Sequence, residues 1–235
     1  MEINDITNLV AKIDSGLSDN EGKLLYQFAR NCAGNGVIVE IGSWMGRSTI
    51  WIGKGASQSN SKIYAIDPHY ENTFEEFQKN IRMANIDKQV ISLVKTSVEA
   101  VLDVSEPVEF IFIDGGHRYD LVKQDFDLWF PNLIEGGIIA FHDVRGWSGP
   151  RKVFREDICK SKYFVDIGLC DTIGFACKVR KNSNVDRLRG RYILLLTYVF
   201  DLGNWLRRFK FLKPLSQLGK KVVNTFSISS KYTII

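Results

Sequence analysis

Five short runs rich in Val, Ile and Phe, at 37–41, 62–66, 90–94, 109–113 and 137–141, alternate with stretches of helical spacing at 47–56, 73–84, 97–102 and 119–130. Strands separated by helices cannot pair as hairpins, so the pattern predicts a parallel sheet with helices on both faces, a doubly wound α/β fold. Two further runs, 164–169 and 174–179, are separated by little more than a Cys-Asp-Thr turn. That is hairpin spacing and predicts an antiparallel end, for seven strands in all. Ahead of the first strand, Ile6, Leu9, Val10 and Ile13, then Leu24, Leu25 and Phe28, recur at helical spacing, and Ser18 with Glu21 reads as a capping box. The expected organisation is helices over 1–34, the sheet domain over 35–180 and a tail over 181–235.

In such a fold, ligands bind beyond the carboxyl ends of the strands, where the strand order reverses. Three expected strand ends carry suitable residues. The first runs into Glu40-Ile41-Gly42-Ser43-Trp44-Met45-Gly46-Arg47, whose glycines suit close approach of the backbone to a ligand. The second ends in Asp67, 21 residues after Gly46, where a carboxylate can accept hydrogen bonds from ribose hydroxyls. The third ends in Asp114-Gly115-Gly116-His117. Trp44 stands where a dinucleotide site needs its middle glycine, and no GxxxxGK[ST] loop is present. A ribose-bearing ligand without phosphates remains, and S-adenosylmethionine is the common one.

The ordered set Glu40-x-Gly42-x-x-x-Gly46, Asp67, Asp114-Gly115-Gly116-His117 and Glu135-Gly136-Gly137-Ile138-Ile139-Ala140-Phe141-His142-Asp143-Val144 resembles the class I S-adenosylmethionine-dependent methyltransferases. More narrowly, it resembles the small O-methyltransferases related to macrolide-sugar methyltransferases and cephalosporin hydroxylase-like proteins, over residues 35 to 180. The resemblance implies a Rossmann-like fold. It places Glu40, Gly42, Ser43, Gly46, Asp67, Ser97 and Asp114 at the cofactor, with Asp67 on the ribose and the Thr96–Ser97 region near the adenine.

Methyl transfer to a hydroxyl needs alignment and removal of a proton, by a general base or with a divalent ion. The catalytic candidates are His117, His142 and Asp114. Asp114, His142 and Asp143 offer the mixed oxygen and nitrogen ligands of an open metal site, for Mg or Mn before Fe. Asp125 and Asp127 read as a solvated helix face. The expected acceptor is a hydroxyl on a sugar or on a glycosylated or lipid-linked small metabolite. The alternatives are a metal-dependent hydroxylase on the same fold and a membrane-associated binding protein.

Charge separates the tail from the body. From Lys178 onward there are 13 Lys or Arg against two Asp, so the preceding chain is acidic although the whole is +4. In the tail, Leu188, Tyr192, Leu195, Val199, Leu202, Leu206 and Phe209 step by four and three, with Arg187, Arg189 and Arg191 before and Arg207, Arg208, Lys210 and Lys213 after. The pattern suits an anionic membrane surface, a homodimer seam or docking onto the sheet domain. Nucleic acid fits less well, since the charges flank an apolar segment where a backbone-tracking surface would spread them. No apolar run reaches the roughly 20 residues that cross a bilayer. The N-terminus lacks a signal-peptide pattern, and four cysteines without a framework suit reduced thiols. A cytoplasmic protein, peripheral on the inner face of the membrane, is the expectation.

Overall fold

The computed structural model describes residues 2–59 and 61–206. Two helices, α1 (Ile3–Val10) and α2 (Asp19–Arg30), precede β1 (Val37–Ile41), α3 (Arg47–Gly55), β2 (Ile63–Ile66), α4 (Phe74–Met83), β3 (Val90–Leu93), α5 (Ser97–Ala100), β4 (Val108–Ile113) and α6 (Tyr119–Trp129). A 3-10 turn (Phe130–Asn132) leads into β5 (Leu133–Phe141). Then come α7 (Ser148–Val153), its π-helical continuation (Phe154–Cys159), β6 (Phe164–Cys170), β7 (Ile173–Lys178) and α8 (Asn184–Leu206). The seven strands lie in the order β3-β2-β1-β4-β5-β7-β6, with β3 to β5 parallel and β5, β7 and β6 successively antiparallel. This is the doubly wound, mostly parallel sheet with an antiparallel hairpin that the spacing predicts.

Strand period two divides the core. Ile38, Phe110 and Phe112 point into one cluster with Leu24, Phe28, Trp51 and Phe77 of α2, α3 and α4. Val37, Val39, Ile41, Ile111 and Ile113 point into the other, with Val122, Phe126, Trp129, Phe154 and Ile193. Strands β1, β2 and β4 are buried at every position because both faces are covered, with Glu40 and Glu109 the polar residues in otherwise apolar runs. Strand β5 begins earlier than the apolar run suggested: Leu133 pairs with Val108 and Ile138 with Phe110, and Gly136, at φ 84, lies in the extra residues of that irregularity.

Residues 182–206 are anchored on the domain. Helix α8 places Ile193 and Leu196 in the second core, and Arg189 Nε donates to the Ile167 carbonyl at 2.9 Å. Arg155 donates to Thr197 Oγ1 and Asp201 Oδ2, both at 2.7 Å. Phe209 and the basic residues Arg207, Arg208, Lys210 and Lys213 lie outside the described residues. All four cysteines are buried and none forms a disulfide. Among the described residues no helix is long and apolar enough to cross a membrane.

Candidate active site

The strand order reverses between β1 and β4, and a cavity of ≈ 810 Å³ opens beyond their carboxyl ends. Gly42, at φ 91, donates its amide to the Ile66 carbonyl at 2.8 Å, and a Cβ on it would sit 2.1 Å from the Asp114 carbonyl oxygen. Only glycine allows β1 and β4 to end this close together. Gly46, at φ 86, is the N-cap of α3, and its Cβ would meet the Phe77 ring at 3.1 Å. Both glycines line the cavity. The protein's own packing already asks for glycine at both positions, beside any close approach of a ligand.

Between these glycines Trp44 adopts φ 40, which turns its amide onto Asp67 Oδ2 at 2.8 Å. The His69 amide donates to the other oxygen, Oδ1, at 2.7 Å. Asp67 is thereby clamped at the end of β2, and its remaining lone pairs are available to cavity hydroxyls. Ser43 lines the cavity, is 2% exposed, and its Oγ has no hydrogen-bond partner among the described residues. A buried hydroxyl left unpaired costs free energy unless a ligand satisfies it. Glu40 stands apart from the other expected cofactor residues: it is buried beneath the turn, accepts from Thr49 Oγ1, and is absent from the cavity wall. Burial pushes its carboxyl up to about 7, against the hydrogen bonds from Ser48 and Thr49.

The ends of β4 and β5 bring an acid-histidine group to the opposite wall. His142 is 5% exposed, with Nδ1 3.0 Å from Asp114 Oδ1 and Nε2 3.4 Å from Glu21 Oε2. Carboxylates only accept, so both ring nitrogens carry protons. Burial opposes that charge, yet the hydrogen bonds to Asp114, Asp143 and Glu21 outweigh it and push the imidazolium up to about 12. Burial conversely raises Asp114, against the hydrogen bond from His142. Asp143 leaves the strand at φ 60, and its Oδ2 lies 2.9 Å from His117 Nε2. Burial would raise Asp143, but the His142 hydrogen bond and the charges of His142 and His117 hold it below the usual carboxylate range. The His117 ring is stacked on Trp147, at 4.7 Å and 5°.

Ligand atoms of Asp114, His117 and Asp143 all fall within 4.8 Å of one another. The geometry therefore differs from the sequence-based ligand set by one histidine. His117 replaces His142, whose two nitrogens are already committed to carboxylates.

Two more residues bear on this site and were missed in sequence, Asp125 in the cavity wall and Glu21 behind it. Asp125, expected on a solvated face, is 6% exposed, lines the cavity and accepts from Ser97 Oγ. Burial pushes its carboxyl up to about 6, opposed by that hydrogen bond. Asp127 does lie on the outer face, paired with Lys123. Glu21 was visible only as a cap. Its Oε1 also accepts the Thr172 amide and hydroxyl, at 2.7 and 2.6 Å, beneath His142. The roof comes from Asp14, Ser15 and Gly16, pinned where Arg47 donates to the Ile13 carbonyl at 3.2 Å and to Asp19 at 3.0 Å.

Residues 39–144, from β1 to the end of this group, match a family model described as a methyltransferase domain. An uncharacterized protein of Acanthamoeba polyphaga mimivirus is 28% identical over 116 residues, 46% of this chain and 52% of its own length. The curated relatives that the chain matches are spanned over about half their length or less. Among solved structures, the O-methyltransferase TomG of Streptomyces achromogenes, in complex with S-adenosylmethionine, superposes with a TM-score of 0.59 at 17% identity, over 75% of this chain and 89% of that one. The O-methyltransferase of Bacillus cereus, in complex with S-adenosylhomocysteine, gives 0.57 at 20% identity, over 75% and 90%. The matched segment is thus similar to a methyltransferase domain, and the chain shares the fold of the small O-methyltransferases.

Proposed function

We propose that this chain is an S-adenosylmethionine-dependent O-methyltransferase acting, with metal assistance, on a hydroxyl of a sugar or of a glycosylated or lipid-linked small metabolite. One observation carries the reading. The clamped Asp67, the unpaired Ser43 hydroxyl and the Asp114, His117 and Asp143 group all face one cavity, of a size that suits a ribose-bearing cofactor and an acceptor together.

The residues fit the cofactor in kind. Asp67 would accept from the ribose hydroxyls, Ser43 and the backbone around Gly42 would hold the amino-acid end, and Ser97 with Asp125 would face the base. Bound S-adenosylmethionine supplies an electrophilic methyl group, and a divalent ion supplies charge that stabilises an ionising hydroxyl. Two carboxylates and an imidazole suit Mn, Mg or Fe, and Asp114, His117 and Asp143 would hold the ion. His142 does not act as the base in this arrangement, because its imidazolium is held between carboxylates and orients Asp114. His117 Nε2 donates to Asp143 and the ring is held against Trp147, so Nδ1 would be the nitrogen left with a lone pair to take a hydroxyl proton when no ion is bound. The loop of Asp14, Ser15 and Gly16 narrows the entrance and keeps water from the methyl group.

Titration calorimetry with S-adenosylmethionine, followed by turnover against a panel of glycosides with Mg or Mn and with a chelator, tests this. Cofactor binding at micromolar strength and chelator-sensitive methylation are expected. Affinity weaker than about millimolar would remove the methyltransferase reading. Turnover indifferent to the chelator would remove the metal and leave His117 as the base.

A further inference from the structure

Among the described residues, helix α8 is buried along one side only. Opposite Ile193 and Leu196, it exposes Leu188, Leu195, Leu202 and Trp205 to 62%, 58%, 55% and 51%, with Tyr192 between them. From Leu188 to Trp205 this apolar stripe runs about 25 Å at 1.5 Å per residue. Monomeric proteins leave such stripes uncovered only where something docks. Beside the stripe, a hollow of ≈ 280 Å³ lies between α7 with its π-helical continuation and α8. Four cations, Arg151, Lys152, Arg155 and Lys160, line it with Glu156, and Tyr198 of α8 forms its edge. Asp201 engages the two arginines at 2.8 and 2.7 Å, while Lys152 lies over the Tyr119 ring and Lys160 is exposed. Stripe and basic hollow therefore meet at Tyr198. The sequence that follows, residues 207–235, adds seven Lys or Arg and no Asp or Glu.

We propose that this composite face docks on an anionic phospholipid surface, with α8 lying flat, its stripe at the acyl boundary and the basic hollow facing headgroup phosphates. Apolar area and positive charge side by side are what an interfacial helix needs, and each alone binds weakly. A second copy of the chain suits the face less well. The exposed flank of the stripe carries Arg187 and Arg191, and the carboxylates of α8 are already engaged, Asp186 by Ser183 and Asp201 by the two arginines. Two such faces would oppose like charges. The inference is independent of the methyl-transfer chemistry.

The test is co-sedimentation of the full chain with vesicles of phosphatidylcholine, with and without phosphatidylglycerol. Binding is expected only to the anionic vesicles and should fall steeply in about 0.5 M salt. Leu195→Gln with Leu202→Gln, and separately Lys152→Glu with Lys160→Glu, should each lower the partition coefficient about tenfold or more, with circular dichroism and cofactor affinity unchanged. Undiminished binding by both variants, which would assign all binding to the basic sequence beyond α8, overturns the surface. So does a failure of the parent chain to bind anionic vesicles. So does a dimer in light scattering that the Leu195→Gln, Leu202→Gln variant converts to monomer.

Discussion

Replacing Glu21 by Gln should cost stability at neutral pH and nothing in strong acid. The Glu21 carboxylate is almost wholly buried and serves three elements at once. It closes the capping box of α2 by accepting the Ser18 amide at 2.8 Å, accepts both donors of Thr172 at the β6–β7 turn, and faces His142 Nε2 at the end of β5. Burial alone would raise its pKa. The hydrogen bond and charge of His142, then Thr172 and Ser18, instead lower it from 4.5 to about 2. At roughly 1.4 kcal/mol per pH unit this displacement corresponds to about 3 kcal/mol of folding free energy.

The sign follows from the direction. A carboxyl whose folded value is depressed contributes its full stabilisation above the unfolded value of 4.5 and loses it as pH falls towards about 2. Glu21→Gln keeps the shape but removes the charge and turns an amide donor toward groups that are themselves donors. Urea unfolding at pH 7 should therefore show the variant about 3 kcal/mol less stable, within the range for breaking a buried charge pair. Repeated at steps below pH 4.5, the gap should close. A gap under about 1 kcal/mol at pH 7, or one of constant size down to pH 3, would refute the assignment of this carboxylate as the ionised tie between α2 and the active site.

Three further substitutions probe the rest of the site. Gly42→Ala places a methyl group 2.1 Å from the Asp114 carbonyl at φ 91, so a loss of about 3 kcal/mol or more is expected in chemical denaturation; a variant of parent stability would show that β1 and β4 can part. Asp67→Ala should weaken S-adenosylmethionine about ten- to a hundredfold by calorimetry, and unaltered affinity would take Asp67 out of the cofactor site. Asp125→Asn tests a carboxyl raised by burial from 3.8 to about 6, which stabilises the fold below 3.8 and loses that stability as pH rises through 6. The variant should gain on the parent, by about 2–3 kcal/mol, at pH 7.5 but not at pH 3.5, and equal differences at both would contradict the sign.

What could be read in the sequence is what depends on near neighbours. Val39, Ile111 and Ile139 lie in near-continuous apolar runs, broken only by Glu40 and Glu109, because each strand is covered on both faces, and such runs announce a parallel sheet before any contact is known. Ser18 and Glu21 announce a helix start three residues apart, and the cap is there. The second task of Glu21 left no local trace, since its partner His142 is 121 residues away and is brought near only when α2 packs on the sheet. Asp125 was misplaced for a related reason. Helix period puts it on nearly the opposite side from Asp127, but which side of α6 meets Ser97 depends on the crossover from β3 to β4.

The exchange of His142 for His117 is a different case, decided by backbone at one residue. His142 and Asp143 are consecutive, and along a continued strand they would face opposite sides of the sheet. Asp143 instead turns at φ 60, which leaves the imidazole of His142 directed at Asp114 and Glu21 and brings the carboxylate round to His117. A left-handed aspartate carries no spacing signature, and Asp166 and Asp171 adopt the same conformation outside the site. In the proposed reading the two histidines divide what a motif would assign to one: His142, between Asp114 and Glu21, would hold the acids in place, and His117, half exposed against Trp147, would be the one to meet a substrate or an ion.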